Sequence, residues 1–145
     1  MTTQLTEMFC NQCEQAAHGT GCTKIGTCGK SPDVAALQDL LVHALRSLAA
    51  VAVHAPAGAD LTAEARFVED ALFTTLTNVD FDPESVAGLV DEAVGVRTRL
   101  EARIAGAGGA VDVSNPLCAL SAPDTVEAKV ALGEKLGSPW DTSRD

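Results

Sequence analysis

Cys10, Cys13, Cys22 and Cys28 fall within nineteen residues, separated by two, eight and five residues. They lie in the stretch 8–30, MFCNQCEQAAHGTGCTKIGTCGK, with Gly19, Gly21, Gly26 and Gly29 between or beside them. No helical or strand period runs through it. A segment so short and Gly-rich cannot order itself by apolar burial, so something else must gather the sulfurs. Four thiolates suit a soft metal centre, Zn2+ or an iron–sulfur cluster. Zinc sites usually offer two C-x2-C-like pairs in separate tight turns. Here only Cys10 and Cys13 form one; Cys22 and Cys28 stand too far apart for a single zinc knuckle. A cubane cluster is larger than one ion, so its ligands can spread over a continuous loop. Glycines let the backbone come close and aim N–H groups at its sulfurs. The spacing favours iron–sulfur over zinc and leaves zinc open.

Several residues could support such a centre. A [4Fe–4S]2+ core with four thiolates carries a net negative charge, and Lys24 and Lys30 lie in the loop of a chain with only four lysines. They could offset that charge, or be ordinary solvated lysines. His18 lies in the loop too, but four cysteines complete a ligand set, which makes it a second-shell or surface residue. Gly26 is the further second-shell candidate. Glu14 and Gln15 read as polar surface, because a carboxylate needs burial to act as an acid. The fifth cysteine, Cys118, reads as a small buried hydrophobe. His43 falls mid-helix and His54 at a helix end, both as structural residues. Gly29-Lys30-Ser31 is not a phosphate loop, because Lys24 stands where the first glycine belongs and no apolar strand precedes it. No Ser/His/Asp or paired-carboxylate arrangement stands out.

The elements that must position this loop are helical. Ser31-Pro32-Asp33 supplies a capping hydroxyl, a first-turn proline and an acid. Val34, Leu37, Leu41, Ala44 and Leu48 then form one stripe, widened by Leu40, Leu45 and Ala52 to a helix buried on two sides. His54 to Gly58 ends it. A second helix is expected over 62–78, with a stripe of Ala65, Val68, Leu72, Thr75 and Val79, closed by Asn78. A short connection returns the third helix antiparallel to the second. Asp82-Pro83-Glu84 opens it, and Val86, Leu89, Ala93, Val96, Leu100 and Ile104 form its stripe up to Gly106. Asn115-Pro116 marks a turn in the following loop. Asp124 and Glu127 predict a capping box for a short fourth helix ending at Gly137, although Gly133 lowers its propensity. Trp140 is expected to fold back as an anchor. The predicted fold is all-α: three antiparallel helices plus a short C-terminal one, with the cysteine loop wrapped on one end. One domain spans 1–145, comprising the loop (8–30), the bundle (31–137) and a tail (138–145).

Bulk properties narrow the function. The chain has 145 residues, 46% of them apolar and mostly Ala, Val and Leu, which suits close-packed helices. Its formal net charge of −10 argues against nucleic acid and anionic membranes, and fits a partner with a basic patch. The N-terminus has no signal-peptide pattern, and no apolar run approaches the roughly 18 residues needed to span a bilayer. The expected location is the cytoplasm, where clustered cysteines read as metal ligands or redox groups before disulfides.

The stretch 8–41, MFCNQCEQAAHGTGCTKIGTCGKSPDVAALQDLL, resembles the N-terminus of the hybrid-cluster proteins, also called prismane proteins or hydroxylamine reductases. Their pattern reads MFCxQCEQT, then GxGCTxxGxCGKxPxVAxLQDLL. Ala17 stands near the place of its Thr, and Asn11 occupies a position that is often aromatic. The similarity continues through ALFTTLTNVDFD (71–82) and GEKLG (133–137). The resemblance implies a [4Fe–4S] cluster on Cys10, Cys13, Cys22 and Cys28, because family members with the wider spacing carry [2Fe–2S] instead. It also implies a neighbouring helical bundle. In the family, two later domains supply the Cys, His and Glu ligands of the hybrid cluster where hydroxylamine or nitric oxide is reduced. The sequence in hand does not reach them and has no cysteine-rich stretch after residue 28. The expectation is therefore a one-electron carrier without its own substrate, not an enzyme by itself. The alternatives are an oxygen- or nitric-oxide-responsive sensor, an electron-supplying subunit of a split reductase, and a structural zinc domain.

Overall fold

The structure is a computed structural model and describes residues 8–76 and 79–139. It is all-α: α1 (Pro32–Ala52), α2 (Thr62–Thr74), α3 (Pro83–Gly106) and α4 (Val126–Leu136), with short 3-10 turns at Ala17–Gly19 and Pro116–Ala119. Helix α1 starts as its sequence dictates. Ser31 Oγ accepts the Val34 N–H at 3.3 Å, and Pro32 takes the first helical position, where no N–H is needed. Val34, Leu37, Leu40, Leu41, Ala44, Leu45, Leu48 and Val51 are all buried. At about 1.5–3 kcal/mol for each large aliphatic side chain, this helix is the main source of apolar stabilisation. By length and composition α1 could cross a bilayer, contrary to the sequence expectation. Its apolar surface is instead covered by α3 and α4, as in a core helix.

Helices α1 and α3 run in the same direction. Leu37 and Leu41 share a core with Val86 and Val90, Ser47 pairs with Arg97, and Leu48 and Val51 meet Leu100 and Ile104. Helix α2 runs antiparallel to them on the outside of the pair, its first turn tied to the end of α3 by the Arg103–Glu64 ion pair and by Arg103 Nη2 on the Asp60 carbonyl at 2.8 Å. Asp82 caps α3 by accepting the Glu84 N–H, as expected.

Three further expectations are corrected. Helix α2 ends at Thr74, short of the predicted 78. The hydroxyls of Thr74 and Thr75 donate to the carbonyls of Ala71 and Leu72 at 2.7 and 2.8 Å, occupying acceptors at the helix end. Its predicted stripe is largely open: only Ala71 of the helix is fully buried, Thr75 just beyond it is buried, and Leu72, Phe73, Leu76 and Val79 are exposed. The faces of α1 that α2 would cover are taken by α3 and α4. At α4 the cap is Thr125, whose Oγ1 accepts the Ala128 N–H, and not Asp124. Asn78 and Trp140 lie outside the described residues.

Gly133 proves to be a packing residue. A Cβ there would stand 2.2 Å from the Ala36 carbonyl oxygen, so α4 crosses α1 backbone to backbone. Gly133→Ala is therefore expected to lower apoprotein stability in urea by about 2–3 kcal/mol, the upper range for overpacking a close contact. His43, buried in α1, hydrogen-bonds the Gly137 carbonyl through Nε2 at 3.0 Å, and burial lowers its pKa from the ordinary 6.5. The unfolded chain therefore binds a proton that the native state resists, so this contribution is complete above pH 6.5 and is lost as pH falls below it. Thermal unfolding midpoints measured from pH 7.5 to 5.5 are expected to fall in the native protein and to fall less in His43→Gln.

Candidate metal centre

The cysteine loop is held to α1 by a small core of Met8, Cys22 and Ala35, with Cys10 and Ala17 against it. Its frame is a single antiparallel bridge. Cys10 N–H donates to the Cys22 carbonyl at 3.0 Å, and Cys22 N–H donates back to Cys10 at 2.8 Å. Residues that exchange both bonds project their side chains to the same face, which places the two cysteines as neighbours. Between them the chain turns through Ala17–Gly19, where His18 takes a left-handed conformation with φ 57°. A second turn follows: Gly26 N–H donates to the Lys30 carbonyl, and Gly29, with φ 91°, donates to the Gly26 carbonyl, each at 2.8 Å. This turn delivers Cys28. A Cβ at Gly26 would stand 3.0 Å from both Cys28 Sγ and Lys30 Cβ, so the turn closes this tightly only around glycine.

Cys22 is buried and is the most heavily supported sulfur. Its Sγ accepts the backbone N–H of Ala17 and of Thr27, each at 3.4 Å, and faces the Thr27 hydroxyl at 3.5 Å. The Thr27 hydroxyl, then the Ala17 and Thr27 amides, hold its pKa below the ordinary thiol value; burial opposes them and the Lys30 charge assists. Donors aimed at one sulfur stabilise the thiolate, the form that binds metal. At Cys10, Lys30 Nζ stands 3.7 Å from Sγ and donates to Gln12 Oε1 at 3.0 Å. Cys13 and Cys28 are partly exposed, and all five cysteines are free thiols.

The donor set fits a soft, anionic-sulfur centre: four thiols in one loop, amides directed at sulfur, and a buried cation beside them. Among the described residues, no three His, Cys, Asp or Glu side chains converge tightly enough to grip a single metal ion. The bridge brings Cys10 and Cys22 together, while Cys28 is set by its own turn.

The second-shell candidates separate. Lys30 is buried against Cys10, and Gly26 packs on Cys28, whereas Lys24 and His18 are exposed and make no bond to a sulfur among the described residues. Glu14 and Gln15 are exposed, as expected of surface residues. Cys118 is buried with Leu48, Val51, Leu100 and Ile104, in the role of a small hydrophobe. Thr27 and Gln12 were not singled out from the sequence. Their closeness to cysteines was the one available signal, and neither residue type announces a bond to sulfur or to lysine.

The model of the prismane/CO dehydrogenase family matches residues 8–137. The chain belongs to that family. It is 48% identical over 134 residues to the hydroxylamine reductase of Syntrophobacter fumaroxidans, covering 90% of this chain and 24% of that protein. It is 43% identical over 131 residues to the hydroxylamine reductase of Methanocella arvoryzae, with the same two coverages. It is 58% identical over 82 residues to that of Geobacter sulfurreducens, covering 56% of this chain and 15% of that protein. The chain thus spans about a quarter of the length of the first two of these relatives.

The tight Gly26 turn has a testable consequence for this prismane-family loop. Gly26→Ala must displace Cys28 Sγ or the Lys30 backbone, while leaving the four helices intact. Metal retention in competition with a chelator is expected to weaken by about 10- to 100-fold, the usual range for support-shell changes. Far-UV circular dichroism of the apoprotein should not change.

Proposed function

We propose that Cys10, Cys13, Cys22 and Cys28 hold one [4Fe–4S] cluster and that the chain works as a one-electron relay to or from a protein partner. The observation that carries this reading is the loop around Cys22, where two amides and a hydroxyl are directed at one thiol in a loop with three more cysteines. Such N–H···S bonds offset the negative charge of the ligand sulfurs and tune the potential. When bound, the cluster supplies storage for a single electron, cycling between the 2+ and 1+ states. The residues of the chain hold it, shield it on the α1 side through Met8 and Ala35, and leave Cys13 and Cys28 nearer solvent. The matched family supports iron–sulfur ligation, and the two-eight-five spacing supports the cubane over [2Fe–2S] or zinc. The net charge of −10 supports docking to a redox partner with a basic face, in a cytoplasmic setting.

A second reading has its own support. The relatives are hydroxylamine reductases of about four times the matched length, so the chain can be read as the electron-supplying part of such an enzyme, with catalysis elsewhere. Reducing hydroxylamine to ammonia and water takes two electrons and two protons, which a one-electron relay would deliver singly. The exposed Leu72, Phe73, Leu76 and Val79 favour this assembly. They lie at the cysteine end of the bundle: the Asp80 carbonyl accepts from Gln38, which lines a cavity with Cys10 and Lys30.

The deciding experiment is an anaerobic preparation analysed for iron and acid-labile sulfide, with EPR before and after dithionite. Four irons and four sulfides per chain, with a signal appearing on reduction, are expected. A colourless protein carrying one zinc sinks the relay reading. Hydroxylamine turnover by the isolated chain is expected to be blank.

A further inference from the structure

Three cationic side chains are buried among the described residues: Lys30 at 2% exposure, Arg97 at 9% and Lys129 at 1%. A charge taken out of water is costly unless a counter-charge goes with it. Arg97 has Glu101, with Nε to Oε1 at 3.2 Å. Lys129 has Asp91, with Nζ to Oδ1 at 3.1 Å. Lys30 is the exception: among the described residues no carboxylate lies within ion-pair distance of it. Its Nζ is aimed by the Gln12 carboxamide at 3.0 Å and meets Cys10 Sγ at 3.7 Å. Gln38, whose buried Oε1 has no hydrogen-bond partner, lines the same cavity of about 20 Å3, room for about one water. Asp39 lines that cavity too but stands outside ion-pair distance of Lys30, so among the described residues the one buried Lys or Arg without an ion-paired acid faces a cysteine.

We propose that Lys30 is the counter-cation built into the cysteine cradle. Its ammonium takes the place of a carboxylate-paired cation by offsetting the negative charge concentrated on the ligand sulfurs, and it holds the potential of the bound cluster upward. The part about the potential rests on the cluster reading above. Two effects of opposite sign follow. Without metal-bound thiolates beside it, the buried ammonium destabilises the apoprotein. Against metal-bound thiolates it stabilises the loaded protein. When one electron from dithionite enters the cluster, the loop gains one negative charge, which a fixed neighbouring cation favours.

The test compares Lys30→Met, which keeps much of the length and apolar stem but not the charge, with Lys24→Met on the exposed lysine of the same loop. The full chain is measured metal-free, zinc-loaded and anaerobically cluster-loaded. Lys30→Met is expected to raise the apoprotein's unfolding midpoint, lower that of the loaded protein, and shift the reduction potential to more negative values. Lys24→Met should change none of the three. A lysine that only fills space moves apo and loaded midpoints in the same direction, and that result overturns the proposal, as does an unchanged potential in a cluster-loaded variant. If the wild type takes up zinc and no cluster, the relay reading fails. The apo-to-zinc comparison then still decides Lys30: reversal of sign supports the counter-cation and a common sign overturns it. Lys30→Gln, which keeps a donor for Gln12, carries the same comparison should Lys30→Met not fold.

Discussion

The enclosure of α1 is the constraint on which the rest of the molecule depends. Its two apolar faces are claimed by α3 along its length and by α4 at a crossing so close that Gly133 must be glycine. The cysteine loop has no comparable core, only Met8, Cys22 and Ala35, and one of those belongs to α1 itself. Its anchorage is therefore inherited. Lys30 leads directly into the Ser31 cap and Pro32, so the first turn of α1 fixes where the last cysteine turn must end. A rigid helix start is what lets a Gly-rich loop hold its sulfurs in a set direction, because the loop supplies hydrogen bonds but little buried area.

Electrostatics divides this protein into an acidic outside and a cationic inside. The chain has twenty acids against ten basic residues, and two of its four lysines are buried. Lys129 closes α4 onto α3 through Asp91 and onto the preceding loop through the Asp124 carbonyl at 3.3 Å. Arg97 likewise joins α3 to Ser47 of α1 and to the Leu120 carbonyl. These are structural fasteners, each neutralised locally. Lys30 is as buried as Lys129 but has different neighbours, the Cys10 sulfur and the Gln12 carboxamide.

Much of this was legible in the sequence, and the parts that were not share a cause. The α1 stripe was readable because both its faces are buried, so almost any apolar period along it is realised. The Ser31 and Asp82 caps were readable because capping is local chemistry. Helix α2 was misjudged because a stripe of Ala65, Val68 and Leu72 shows that a face is apolar, not that a partner has room for it. Gly133 counted against α4 on propensity, while the tertiary contact with Ala36 requires it. Within the loop the four cysteines announced themselves by type and spacing. Lys24 and Lys30 looked equivalent there, and only the turn of residues 26–30 turns one inward and leaves the other in water. Thr27 and Gln12 act through bonds to the Cys22 sulfur and the Lys30 ammonium that their residue types do not announce.

The misjudged helix bears on how such a site would meet a partner. An acidic surface steers a basic partner from a distance but contributes little holding strength, since exposed charges stay hydrated and screened. Apolar side chains act the other way, with no reach but with area to bury. The α2 end offers Leu72 and Phe73, 41% and 61% exposed, beside Leu76, and it is tied through Asp80 and Gln38 to the helix that carries the cysteine loop. The apolar contact surface thus lies at one end of the bundle, the end that carries the cysteine loop, while the acidity belongs to the chain as a whole. A relay gains from that arrangement because encounter and close contact are served by different residues, so neither has to be strong enough to trap the partner.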